Sequence, residues 1–159
     1  MIRQATIALS ALVLGGLAIA QTPTPGAATA PGAAPVNALP RTAAPAGAKL
    51  YIVSPADGAT VKSPVTVVFG LSGMGVAPAG VQMENTGHHH LLIDTDMPAN
   101  LGLPLPATDK IVHFGKGQTE TSLPLTPGRH TLQLVLGDHL HVPFVPVVSS
   151  AKITITVAP

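Results

Sequence analysis

The sequence predicts an all-β protein, an immunoglobulin-like antiparallel β-sandwich of about seven strands that covers residues 49–159. Short runs rich in β-branched residues follow one another in this region, and Gly or Pro turn signals separate them about every ten residues. No window of about a dozen residues there shows helical periodicity. A length of about 110 residues is usual for one such domain and allows a single hydrophobic core.

Turn residues bound the predicted strands. Pro55 ends the first strand, and Pro127 with Gly128 separates the fifth from the sixth, because Pro fixes a negative φ and Gly accepts a positive one. The last run alternates without interruption, which places Ile153 and Ile155 on one face. The predicted strands are residues 50–53, 65–69, 88–94, 111–114, 119–125, 130–136 and 152–157.

Two segments precede the predicted domain. Residues 1–20 are typical of a signal peptide, since Arg3 is followed by an apolar run that ends in a small-x-small site at Ala20. The run is shorter than the roughly 20 residues that a bilayer span needs, so the mature chain is expected to have no membrane span. Residues 21–48 are almost entirely Ala, Pro, Gly and Thr, which predicts a disordered tether. We therefore expect a periplasmic or extracellular protein.

Composition restricts the partners and the means of stabilisation. The chain has 8 Lys and Arg against 7 Asp and Glu, with no basic run, so nucleic acid and anionic membrane surfaces are not expected as partners. It has no cysteine, although small exported domains often depend on disulfides. The domain must therefore be held by its core, with a bound metal as a further contribution.

Five of the seven histidines lie in two short segments. On a strand, His88 and His90 point to one face, an outer or end-of-sheet surface, whereas His89 points to the core. Side chains at i and i+2 are about 6–7 Å apart at Cα, so two such imidazoles can bind one ion. His139 and His141 repeat the spacing.

The two pairs predict a site for a transition metal, copper or zinc, because imidazole suits both ions. The predicted ligands are His88, His90, His139 and His141. Met74 and Met83 are further candidates, since thioethers favour cuprous copper. Asp138 is expected to orient one imidazole through its other ring nitrogen.

Other interpretations of the histidines remain open. The same side chains could form a hydrogen-bonded polar patch without metal, or a rigid surface that recognises an envelope protein. His113 stands alone between apolar neighbours and is predicted to be a packed or edge residue. His130 takes the place of the tyrosine at the corner of immunoglobulin-like domains and is predicted to be structural.

The motifs of common enzymes are missing. Residues 70–74 miss the Gly-x-Ser-x-Gly elbow, because Gly73 comes one position too early. The chain has no phosphate loop, no cysteine nucleophile and no His-Glu-x-x-His helix. We therefore expect a non-catalytic binding protein.

Four blocks resemble one bacterial family of small exported proteins, known only as a domain of unknown function. The blocks are residues 73–80, 85–94, 113–120 and 132–143, which include the triple-histidine strand and the Gly-Asp-His-x-His-x-Pro loop. The resemblance covers nearly all of residues 50–157 and implies an exported domain without an assigned activity. Members of the family often carry a further polar residue, frequently His, after the last Pro. Here Phe144 and Val145 follow Pro143.

Overall fold

The computed structural model describes residues 39–159, which form nine β-strands and no helix. The predicted signal peptide and most of the predicted tether lie outside the described residues. The strands are β1 Lys49–Ser54, β2 Thr60–Val61, β3 Val65–Ser72, β4 Gly75–Val76, β5 Thr86–Ile93, β6 Ile111–His113, β7 Glu120–Leu123, β8 Gly128–Gly137 and β9 Ile153–Val157. Within residues 39–159 there is no helix that could cross a membrane.

Each of the seven predicted strands overlaps an observed one, and the all-β fold class is confirmed. The prediction missed β2 and β4, which have two residues each and are therefore too short to show periodicity. Both pair in parallel, β2 with β9 and β4 with β5, whereas the other strand pairs are antiparallel. The pairing is therefore mixed in the larger sheet.

The strands form two sheets. The smaller sheet has the order β1-β3-β7, and the larger has the order β2-β9-β8-β5-β4, with β6 also paired to β5. The main core lies between them, where alternate residues Val67 and Phe69 of β3 meet Leu91, Leu134 and Ile155 of the larger sheet. Burying each of these side chains contributes roughly 1.5–3 kcal/mol, so this core holds the sandwich together.

Strand β5 is buried on both faces. His89, the predicted core-facing histidine, lies in the main core with its ring centroid 5.1 Å from that of Phe69, which confirms its orientation. His88 and His90 share the opposite face as predicted, but each is 0% exposed, so the expected outer surface is covered. The same face of β5 also carries a second small core. It consists of Leu92, Leu105, Ile111 and Val135, with Met97 and Val147 packed against them.

The last part of the predicted tether is attached to the domain. Ala43 forms a parallel bridge with Val145, and the Arg41 guanidinium donates hydrogen bonds to the carbonyls of Pro143 and Phe144. Thr42 donates a hydrogen bond of 2.7 Å to the Asp138 carboxylate. Residues 41–43 of the predicted tether are therefore in contact with the domain. Composition did not reveal this contact, because it depends on backbone and polar groups and not on large apolar side chains.

The corner histidine is structural, as predicted. Nδ1 of His130 lies 2.7 Å from the Asp94 carboxylate, and Nε2 lies 2.9 Å from the Thr126 carbonyl. Both partners are acceptors, so they favour the doubly protonated ring. The hydrogen bond to Asp94, and then that to Thr126, raise the pKa of His130. Although partial burial raises the pKa of Asp94, hydrogen bonds from the Thr131 amide and His130 lower it overall.

We expect the substitution His130→Gln to lower the free energy of unfolding by roughly 0.5–1 kcal/mol at about pH 6, the size of a partly exposed ion pair. Because the folded state raises the pKa of His130, its contribution is complete below the unfolded pKa and is lost as pH rises through the folded value. The difference in unfolding free energy between the wild-type protein and His130→Gln should therefore be smaller at about pH 9 than at about pH 6, as measured by urea unfolding. Asp94→Asn, alone and combined with His130→Gln, completes the double-mutant cycle. An advantage that is the same at both pH values would show that the ion pair does not contribute.

Candidate metal centre

Four histidines from three parts of the chain meet on the covered face of β5. We call His88 and His90 of β5, His113 of β6 and His141 of the loop after β8 the histidine cluster. The ring centroid of His88 lies 4.8 Å from that of His90, 4.9 Å from that of His113 and 4.9 Å from that of His141. The remaining centroid distances are 5.1 Å for His90–His113, 6.0 Å for His90–His141 and 4.6 Å for His113–His141.

Strand pairing positions the first three members. Alternation along β5 sends His88 and His90 to the same face. The antiparallel register of β5 and β6 places His113 directly opposite His90. Side chains that lie opposite each other in such a pair have Cβ atoms about 4.5–5.5 Å apart, which suits contact between two imidazoles. The cluster is therefore built mainly on hydrogen-bonded strands.

A tight loop brings the fourth member. The Oδ1 atom of Asp138 accepts hydrogen bonds from the amides of Leu140 (2.9 Å) and Val142 (3.0 Å), and Oδ2 accepts one from Thr42. His141 has a φ of 69°, in the left-handed region that non-glycine residues adopt at a cost of about 1–3 kcal/mol. Asp138 thus positions His141 through the loop backbone. The predicted bond from this carboxylate to an imidazole is not among the hydrogen bonds of residues 39–159.

Two glycines make room for the rings. A Cβ atom on Gly115 would lie 2.3 Å from Cε1 of His113, and one on Gly137 would lie 2.8 Å from Cε1 of His90. Both separations are well below the 3.5–4.0 Å of a favourable carbon–carbon contact. The cluster therefore requires glycine at both positions while its rings keep their present places.

The cluster contains buried polar atoms without partners. Both ring nitrogens of His88, both of His90 and Nε2 of His113 are buried and have no hydrogen-bond partner within residues 39–159. Leaving one buried polar group unsatisfied costs about 1–3 kcal/mol, and buried polar groups are nearly always paired. Five such nitrogens lie in one place, and the described part of the chain supplies no partner for them.

Burial favours the neutral form of three of the four rings. Desolvation, followed by the neighbouring histidines, lowers the pKa of His88 to about 4 and that of His90 to about 2. Burial and then His113 also lower the pKa of His141, against the opposing effect of Asp138. Metal binding requires neutral imidazole, and near pH 7 these three rings are already neutral. A metal ion would not need to displace protons from them.

The nitrogen positions suit a metal ion. His88, His113 and His141 each offer one ring nitrogen, and these three atoms all lie within 4.8 Å of one another. Zinc binds histidine nitrogen at about 2.0–2.1 Å, so small ring rotations would bring the three nitrogens onto one ion. His113 lies on a short strand that, among the described strands, pairs only with β5, which agrees with its prediction as a packed or edge residue, but its ring also joins the histidine cluster. Its role depends on the register opposite His90, which the sequence does not contain.

The structure separates the remaining predicted ligands from the cluster. Among the ring contacts of the described residues, none joins His139 to the four clustered rings. Strand β8 ends at Gly137, so the alternation assumed for His139 and His141 does not hold in the loop. His139 and Met83 instead line a separate cavity of about 530 Å³, and Met83 is 62% exposed. Met74 packs against the main core.

Comparison with known families identifies the domain. The family model described as "Domain of unknown function (DUF4399)" matches residues 67–158. The chain belongs to the DUF4399 family. The matched region runs from β3 to the end of β9 and contains all four residues of the histidine cluster. The resemblance inferred from the sequence was to a family of unknown function, and the match agrees at that level.

The DUF4399 description names no activity, ligand or partner. No curated protein and no solved structure shows significant similarity to the chain. Its function must therefore be argued from the cluster itself.

We expect Gly115→Ala to displace the His113 ring, because the new methyl group would lie 2.3 Å from Cε1. Overpacking of this kind costs roughly 1–3 kcal/mol, which urea unfolding would measure, and the His113 ring signals should shift in NMR spectra. Gly75→Ala is the matched control, since its nearest neighbour would be Cγ2 of Thr86 at 3.2 Å. Equal destabilisation by the two substitutions, with unchanged His113 signals, would contradict the packing of His113 against Gly115.

Proposed function

We propose that this DUF4399 protein is an exported, non-catalytic protein that binds a transition metal ion, copper or zinc, in the histidine cluster. Two observations carry the proposal. The buried ring nitrogens of His88 and His90, and Nε2 of His113, have no hydrogen-bond partner within residues 39–159, and one ring nitrogen each of His88, His113 and His141 lie within 4.8 Å of one another. A metal ion uses the lone pairs that would otherwise be desolvated without compensation. Export to the periplasm or the medium is proposed from the signal-peptide pattern of residues 1–20.

The alternative of a metal-free polar patch is less well supported. In such a patch the ring nitrogens would bond to carbonyls, carboxylates or one another, as both nitrogens of His130 do at the corner of this same domain. The cluster differs from His130 in its hydrogen bonding, because five of its ring nitrogens have no partner among the residues that the structure describes. The domain thus provides its own example of a structural histidine for comparison.

The type of donor atom in the cluster limits which metal ions it can bind. The cluster offers neutral imidazole nitrogens, which suit zinc and copper better than the hard cations calcium and magnesium, which take oxygen ligands. Asp138 does not alter this conclusion, because both of its oxygens accept hydrogen bonds in the loop. The site is therefore proposed to take a borderline transition metal.

We expect the metal-free protein, prepared without a histidine tag, to bind one equivalent of Zn(II) or Cu(II) with a Kd on the order of 1 μM or below in competition with chelators. His113→Ala should weaken binding by at least about 100-fold, because it removes a ligand. His139→Ala should change the Kd by less than about twofold, since this neighbouring histidine is outside the cluster. The two variants thus form a matched pair.

Either of two results would reject the metal proposal. One is the absence of stoichiometric binding to the wild-type protein, which would return the histidines to the polar-patch or envelope-recognition interpretation. The other is an equal loss of affinity in His113→Ala and His139→Ala, since that would indicate scattered surface binding.

Metal binding is also expected to stabilise the fold. At a free ion concentration of 100 times the Kd, linkage predicts about 2.7 kcal/mol of additional stability. The melting temperature should rise accordingly on adding Zn(II), and His141→Ala should abolish most of the increase while the melting temperature without metal changes little. A rise of equal size in His141→Ala would place the ion elsewhere.

A further inference from the structure

We infer that His90 is a fourth ligand, which makes the cluster a closed, tetrahedral four-imidazole site for a divalent ion such as zinc. This inference rests on the proposed metal-binding function and specifies the ion class and the coordination. The three nitrogens within 4.8 Å of one another belong to His88, His113 and His141, so the role of His90 requires a separate argument.

The spacing of the four rings approaches that of a tetrahedron. With metal–nitrogen bonds of about 2.0–2.1 Å, each ring centroid lies about 3.2 Å from the ion, and tetrahedral ligands have centroids about 5.2 Å apart. A square-planar ion would instead give four separations of about 4.5 Å and two of about 6.4 Å. Five of the six observed distances lie between 4.6 and 5.1 Å, and the sixth is 6.0 Å. The arrangement is therefore nearer to tetrahedral than to square-planar.

The one long distance involves the member that does not lie on a strand. His90 and His141 are 6.0 Å apart, and His141 belongs to the loop, whereas the other three residues lie on paired strands. An inward movement of the His141 ring by about 1 Å would complete the tetrahedron. Such a movement needs no change in the strand register.

His90 also has the properties of a ligand and not only of a supporting ring. Its ring packs on that of His113, with an angle of 29° between the planes, and it is 0% exposed. A phenyl ring could provide that contact without any polar atom to desolvate. Both ring nitrogens of His90 are nevertheless buried without hydrogen-bond partners in residues 39–159, and Gly137 leaves the space that the ring fills. Coordination would satisfy one of these nitrogens directly.

A fourth protein ligand has a consequence for function. Catalytic zinc sites keep one position open for water or substrate, whereas structural sites are filled by four protein ligands. With His90 bound, the ion has no open position. The closed site therefore suits a protein that stores, carries or is stabilised by its ion, and it does not suit a hydrolase.

Affinity alone does not test this inference, because losing a residue that only supports a ligand also weakens binding by about 10–100-fold. The coordination number does test it. We would load the complete protein with Co(II) as a spectroscopic substitute for zinc and record its visible absorption before and after adding azide. The same measurements on His90→Ala and on the control His139→Ala complete the experiment.

The wild-type protein and His139→Ala should show the intense visible bands of four-coordinate Co(II), unchanged by azide. His90→Ala should retain Co(II) but respond to azide, because an exchangeable ligand replaces the imidazole. X-ray absorption of the zinc-loaded protein should give four nitrogen ligands in the wild type.

An azide response in the wild-type protein would overturn the inference while leaving the metal-binding function intact, since it would show an open three-histidine site. If His90→Ala does not fold, the wild-type response to azide and its X-ray absorption still decide the question. Failure of the wild-type protein to bind Co(II), Zn(II) or Cu(II) would overturn the inference together with the proposed function.

Discussion

The burial of strand β5 on both faces is the constraint on which the main core and the histidine cluster both depend. Alternation along a strand sends successive residues to opposite sides, so one sequence of eight residues must serve two environments. His89, Leu91 and Ile93 face the core between the sheets, and His88 and His90 face the cluster. Both environments fix the register of β5, because a slip of one residue would move the core-facing side chains to the cluster face and the histidines of the cluster into the core.

His88 and His90 of the histidine cluster are both shielded from water and uncharged. The same burial that leaves ring nitrogens without partners also lowers the pKa of His88 and His90, so the rings do not acquire the charges that would drive them apart. Neutral imidazoles can be packed together, but their lone pairs still lack the hydrogen bonds that water would give. The proposed metal ion would supply a partner for these lone pairs, so the burial of His88 and His90 bears on the proposed function as well as on stability.

The loop that carries His141 is held by parts of the chain that lie far apart in sequence. Asp138 fixes the loop backbone with its Oδ1 atom, and Thr42 binds the Oδ2 atom. Arg41 holds the following carbonyls of Pro143 and Phe144. Arg41 and Thr42 therefore help to hold the loop that carries His141, and a domain that began at residue 49 would lose these contacts.

The sequence by itself determined the all-β fold class, all seven of the longer strands and the faces to which His88, His89 and His90 point. These features follow from alternation and turn chemistry, which are local properties. Only the tertiary structure decided that His113 joins the cluster and His139 does not. The first depends on the register between β5 and β6, and the second on the end of β8 at Gly137. The burial of His88 and His90 was likewise not predictable, because it depends on tertiary contacts between elements that are distant in sequence.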